Sequence, residues 1–316
     1  RFRNYGVDWS EYIKAAVLRL QKKFSSHPLF GMDLVVAGNV PMAAGLSSSS
    51  SLLVGAAEAA IAVNDLKTFP AQMVTLCGEG EWFVGTRGGN ADHAAIKMGQ
   101  QGSVVKVRFF NFAIEETVPF PQGYTMLVCD SGIKARKSSD AKDQFNHRIS
   151  CYRIGFALIK KIFPQYAALL KHLRDVNMKN LQIPLSGIYR ILLMLPEKAS
   201  LAELQEMLPE ISLQELCAEH KAPADGLYPI RGVVLFGLSE AERSAAYIDY
   251  LKAEKMEDIG RMMDISHDGD RVCSFSEDWQ EVPFQSRVDN AYILERLADL
   301  ESGIPELVVR SQLLWQ

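Results

Sequence analysis

The run Pro41-Met-Ala-Ala-Gly-Leu-Ser-Ser-Ser-Ser-Ser51 constrains this chain more than any other stretch. Before it, Met32 to Ala37 is apolar and β-rich and predicts a strand, which Gly38, Asn39 and Pro41 then interrupt. After it, alanine-rich sequence from about Ser49 to Val63 predicts a helix. The order is therefore strand, loop, helix. Small residues in such a loop let backbone N–H groups come close to a ligand. The unpaired N–H groups and positive dipole end of the following helix favour an anion, phosphate above all, and serine hydroxyls add hydrogen bonds or a magnesium ligand. A plainer reading makes one serine an N-cap on an ordinary helix, but five serines directly after Gly-Leu exceed what a cap requires. The loop is not a Walker A sequence, because the lysine of G-x-x-x-x-G-K-[ST] is absent.

Around this run the hydropathy pattern predicts an amphipathic helix from Trp9 to Lys22, a second helix from Ala71 to Phe83, and strands at Ser103 to Phe109 and Tyr124 to Asp130. Long helical patterns follow at about Asp140 to Phe163, Leu201 to His220, Ser239 to Lys255 and Met256 to Ser266. Phe236, Met262, Met263 and Trp279 read as core, and the interior lysine and arginine runs as solvated helix faces. Early strands and late helices give an α+β chain of two domains with a boundary near residue 120. A length of 316 residues suits two such cores. The apolar share of 48% and charged share of 23% belong to a soluble protein, and no stretch reaches the roughly 20 apolar residues of a membrane helix. A net charge of −4 with intermixed signs leaves no basic footprint for nucleic acid. Five scattered cysteines without a C-x-x-C pair suit a reducing compartment, the cytoplasm.

The stretch from Cys77 to His93, C-G-E-G-E-W-F-V-G-T-R-G-G-N-A-D-H, offers a helical carboxylate, Glu81, and a second, Asp92, after a glycine-rich turn. Phosphoryl transfer uses one carboxylate to hold magnesium across the phosphates and another to orient or deprotonate the attacking hydroxyl. The alternative is an exposed Glu on a helix face and an Asp capping the next element.

Pro41 to Ser51 resembles the second motif of the GHMP kinases, P-x-G-x-G-L-S-S-S-A, with Ala43 in place of the usual glycine and Ser50 in place of the usual alanine. The stretch from Cys77 to His93 resembles the galactokinase segment C-Q-x-A-E-H-x-F-x-G-x-x-C-G-I-M-D-Q; it is one residue shorter after Glu81 and carries His93 in place of Gln. Trp9 to Val17, Asp130 to Lys134 followed by Phe145 to Arg148, Tyr228 to Arg231 and Gly260 to His267 are similar to further galactokinase segments. The resemblance implies a two-domain GHMP kinase fold, residues 1–120 forming an N-terminal domain of the ribosomal protein S5 domain 2-like kind and residues 121–316 a ferredoxin-like, helix-augmented substrate domain. It implies ATP and Mg2+ as cofactors and a small-molecule sugar as partner, with phosphoryl transfer to the anomeric hydroxyl. Gly45, Leu46, Ser47, Ser48 and Ser49 would cradle the phosphates, Ser49 and Glu81 would bind the metal, and Asp92 would be catalytic. Asp92 and Phe145 would face the sugar; Phe145 stands where galactokinases have a tyrosine and lacks its hydroxyl, which opens the reading to uronic acids, heptoses, arabinose or fucose. Arg87 either pairs with an acidic group of such a substrate or is solvated. A catalytically silent sugar and ATP sensor is the rival. The first and last family motifs are missing, and the chain opens on Arg1 rather than a methionine, which reads as an internal fragment.

Overall fold

The computed structural model describes residues 8–85, 88–109, 112–129, 139–271, 273–283 and 290–300. The chain divides into two compact units, residues 1–138 and 139–316, and mixes helices with two-stranded antiparallel sheets.

In the first unit, helix α1 (Ser10–Lys23) buries Tyr12, Ala15, Ala16 and Leu20 at helical spacing and carries Lys22 and Lys23 in its last turn, where cations suit the dipole. That face packs on α2 (Ser48–Val63) and α3 (Pro70–Glu81). Helix α2 buries Leu53, Val54, Ala56, Ala57 and Ala60, whose small side chains allow close helix approach. Pro70 opens α3 at a position where its missing N–H costs nothing. Each fully buried leucine here, Leu20 and Leu53, contributes about 1.5–3 kcal/mol. Arg19 of α1 bonds Glu79 of α3, Nε to Oε2 at 2.7 Å, which fixes the register of the two helices. Helix α4 (Ala91–Met98) packs on α2 and α3 and leads into β1 (Ser103–Arg108), which pairs antiparallel with β2 (Ala113–Pro119) across a bulge at Lys106 and Val107.

Two strand expectations fail. Residues 32–37 and 124–129 are irregular and largely exposed, with Val35 99% and Leu127 81% accessible. A strand needs a partner ladder for its N–H and C=O groups, and among the described residues no strand pairs with either segment. Asp130, at the end of the second expected strand, lies outside the described residues.

In the second unit, α5 (Ser139–Ile162) packs on α10 (Ile230–Lys252), and α6 (Met178–Leu181) and α7 (Leu185–Leu193) complete the core around the fully buried Tyr189, Leu158 and Ile188. The helix expected from Leu201 to His220 is instead two short ones, α8 (Leu201–Met207) and α9 (Leu213–Leu216), because Pro209 cannot continue α8. Ser200 and Glu203 form a capping box at the start of α8, and Gln205 closes the break, donating to Leu208 and Ile211 carbonyls and accepting from the Leu213 N–H. Strand β3 (Ala199–Ser200) pairs with β4 (Leu227–Tyr228). Helix α11 (Met256–Asp270) packs on α10; β5 (Cys273–Phe275) pairs with β6 (Glu281–Pro283), and α12 (Ala291–Leu300) packs on α7.

Met262 is core as expected, but Met263 and Trp279 are 59% and 82% exposed. Arg231 and Arg243 are buried rather than solvated. The Arg231 guanidinium donates to the carbonyls of Leu192, Leu193 and Leu195, so a fixed cation satisfies the C-terminus of α7.

Candidate functional site

The loop from Pro41 to Ser47 takes its shape from three left-handed residues, Ala43 at φ 56°, Gly45 at 73° and Ser47 at 56°. Alternation of this kind turns backbone N–H groups toward one side and makes an anion-binding concavity. At Gly45 a Cβ would meet nothing within 4 Å, so the backbone conformation and not crowding calls for glycine. Ala43 adopts the same region at a cost of about 1 kcal/mol.

Ser47 stands at the N-cap of α2, and its side chain makes no capping hydrogen bond. The plain N-cap reading therefore does not describe this serine. The N–H groups of the first turn of α2, from Ser48 to Ser50, belong to the positive end of the helix, where the loop joins it. Gly45 and Leu46 are exposed, Ser47, Ser48 and Ser49 half-buried, and Ser50 buried.

The last residue of α3, Glu81, is 5% exposed, and the hydroxyl of Ser50 donates to its Oε1 at 2.7 Å. His93, 1% exposed in the first turn of α4, brings Nε2 to 3.7 Å from the same oxygen. Asp92, adjacent to His93, is exposed in that turn, where a carboxylate is favoured by the helix dipole. Ser50, Glu81 and His93 thus meet at the ends of three packed helices, with Asp92 next to His93 in sequence.

Gly78 makes the approach of α4 possible, since a Cβ there would lie 1.9 Å from Oδ1 of Asn90, the N-cap of α4. Lys97 at the other end of α4 forms an ion pair with Glu58 of α2. Burial pushes the Cys77 thiol, one turn before Glu81, up to about 12, with Glu58 and Glu81 adding to the effect, so it stays protonated and belongs to the core.

Residues 11–100 match the family model of the GHMP kinases N terminal domain. Over that span the chain is similar to the GHMP kinases, and the relatives it resembles are galactokinases. It is 26% identical to a galactokinase of Roseiflexus sp. (strain RS-1) over 273 residues, 86% of this chain and 56% of that protein. Over 127 residues, 40% of this chain and 33% of the other, it is 31% identical to a galactokinase of Actinobacillus pleuropneumoniae serotype 3 (strain JL03). A galactokinase of Dictyostelium discoideum is 25% identical over 178 residues, 56% of this chain and 36% of its own length. The chain spans from 33% to 56% of the length of these relatives.

The donors around the loop fit a magnesium nucleotide. Mg2+ prefers hard oxygen ligands and takes one or two carboxylates together with phosphate oxygens, not a dedicated protein cage. Glu81 and the neighbouring serine hydroxyls are such donors. The sequence reading passed over two neighbours of Glu81, Ser50 and His93. Both positions carried a signal, because each departs from the motif it otherwise resembles.

In the second unit, Phe145 is 44% exposed on α5. Its neighbour His147 packs at 4.9 Å against the ring of Tyr228, which joins two of the galactokinase-like segments. Arg148 stacks over Phe236 of α10 at 5.4 Å. In the third segment, Ser266 of α11 donates to Glu240 of α10 at 3.0 Å. Arg87 and the stretch 130–134 lie outside the described residues. Among the described residues no helix is long and apolar enough to cross a membrane.

Proposed function

We propose that this chain is an ATP- and magnesium-dependent sugar kinase that transfers the γ-phosphoryl group of ATP to the anomeric hydroxyl of a monosaccharide. The observation that carries this reading is the left-handed loop ending at an uncapped helix N-terminus beside a buried carboxylate. Residues 1–120 and 121–316 are then the GHMP N-terminal and substrate domains, of the ribosomal protein S5 domain 2-like and ferredoxin-like kinds.

In this account the N–H groups from Gly45 to Ser49 cradle the phosphates, and Ser49 and Glu81 hold Mg2+. When bound, the metal neutralises charge on the β- and γ-phosphates. Asp92, exposed in the first turn of α4, accepts or orients the proton of the sugar hydroxyl, a contribution of about 10²–10⁴ in rate. Positioning and charge neutralisation supply most of the remainder. Phe145 contacts the sugar through its apolar ring and offers no hydroxyl, which favours a substrate other than galactose.

An ADP-release assay over galactose, arabinose, fucose, glucuronate, galacturonate and heptoses tests the reading. Magnesium-dependent turnover with one sugar is expected. Tight ATP binding with no turnover on any of them would replace the kinase with a sensor.

A further inference from the structure

Among the described residues, the Ser50 and His93 contacts of Glu81 fall on one oxygen. Oε1 receives the Ser50 hydroxyl at 2.7 Å and lies 3.7 Å from Nε2 of His93, while Ser50 and His93 are themselves 2% and 1% exposed. A carboxylate this deeply buried costs heavily unless it is hydrogen-bonded. The short O–H···O contact is of the charge-assisted kind. At 3.7 Å the histidine nitrogen is beyond hydrogen-bond distance of that oxygen. Ser50 is the third residue of α2, so the anchor for Glu81 belongs to the first turn of the helix that follows the loop. The rotation of the carboxylate is thereby referenced to the phosphate loop.

We propose that Ser50 is a positioning residue for Glu81: it holds Oε1, and Oε2 is the single oxygen presented to the divalent cation. This rests on the proposed role of Glu81 as a metal ligand. One fixed oxygen suits Mg2+ and Mn2+, which demand near-octahedral geometry, whereas a carboxylate free to turn admits the bidentate and irregular coordination that Ca2+ accepts. Ser50 therefore sets which cation the site prefers as well as how tightly it binds. Alanine at position 50 retains the helix and removes only the hydroxyl.

The test is cation binding to the purified full chain in the presence of a non-hydrolysable ATP analogue, with Mn2+ followed by electron paramagnetic resonance and Ca2+ by calorimetry. Ser50→Ala is expected to weaken Mn2+ about tenfold, as loss of an outer-shell partner does. Under the same conditions Ca2+ affinity should change less than about threefold. Ser50→Thr, which keeps the hydroxyl, should recover most of the Mn2+ affinity. Glu81→Ala should weaken Mn2+ at least as much as Ser50→Ala. Equal weakening of both cations, or unchanged Mn2+ affinity in Ser50→Ala while Glu81→Ala loses it, would overturn the positioning role and leave Glu81 as ligand. Unchanged Mn2+ affinity in Glu81→Ala would remove the ligand reading and the inference together.

Discussion

Lys97 of α4 meets Glu58 of α2 in an ion pair that spans 39 positions of sequence. The pair lies on the helix that carries Asp92, five residues along or about 7.5 Å. It ties the far end of α4 to the helix that supports the phosphate loop.

That tie should matter more for catalysis than for stability. Both side chains are partly exposed, so their coupling in a double-mutant cycle of Lys97→Met and Glu58→Gln is expected to be at most about 1 kcal/mol. Turnover should fall several-fold while ATP affinity, set at the other end of α2, is unchanged. Loss of ATP affinity in either variant, read by calorimetry, would show that the pair supports the loop itself.

Ala43 holds a left-handed conformation that glycine adopts without strain. Ala43→Gly should relieve about 1 kcal/mol of strain against a smaller gain in unfolded-state entropy, a net stabilisation of about 0.5 kcal/mol. Chemical denaturation measures it. A destabilised variant would mean that the methyl group contributes packing the backbone angle does not reveal.

His147 gives the second unit a pH dependence. Burial, and then the neighbouring His220, lower its pKa, with Arg148 acting in the same direction and Asp225 against them. The folded protein therefore keeps this imidazole neutral at pH values where the unfolded chain binds a proton. Stability from this group is fully present above the unfolded value of about 6.5 and is lost as pH falls below it toward the lower folded value. Thermal melts should show Tm falling between about pH 7 and 5, and His147→Gln should flatten that slope. An unchanged slope would assign the dependence to another group.

Much of the helical frame was legible in the sequence, because α1 and α5 carry apolar residues at helical spacing and α2 is an alanine-rich run, both of which local reading detects. The segments at 32–37 and 124–129 have the composition of strands but no ladder partner among the described residues, and composition cannot report a partner. The burial of Arg231 was not legible, because its role depends on carbonyls of α7 nearly 40 positions away. Within the site, the serine run and the two carboxylates stood out, whereas the left-handed angles at Ala43 and Ser47 did not, since neither residue type announces them. Ser50 and His93 were visible only as departures from a resembled pattern. Their meeting at one oxygen of Glu81 is a three-dimensional fact.

The central claim is that the loop binds nucleotide while Asp92 acts on the acceptor, and Asp92→Asn separates the two most directly. With turnover and ATP affinity measured on the same preparation, turnover should fall by about 10²–10⁴ and ATP affinity should change less than about threefold. Retained turnover would contradict the account and remove Asp92 from the chemistry.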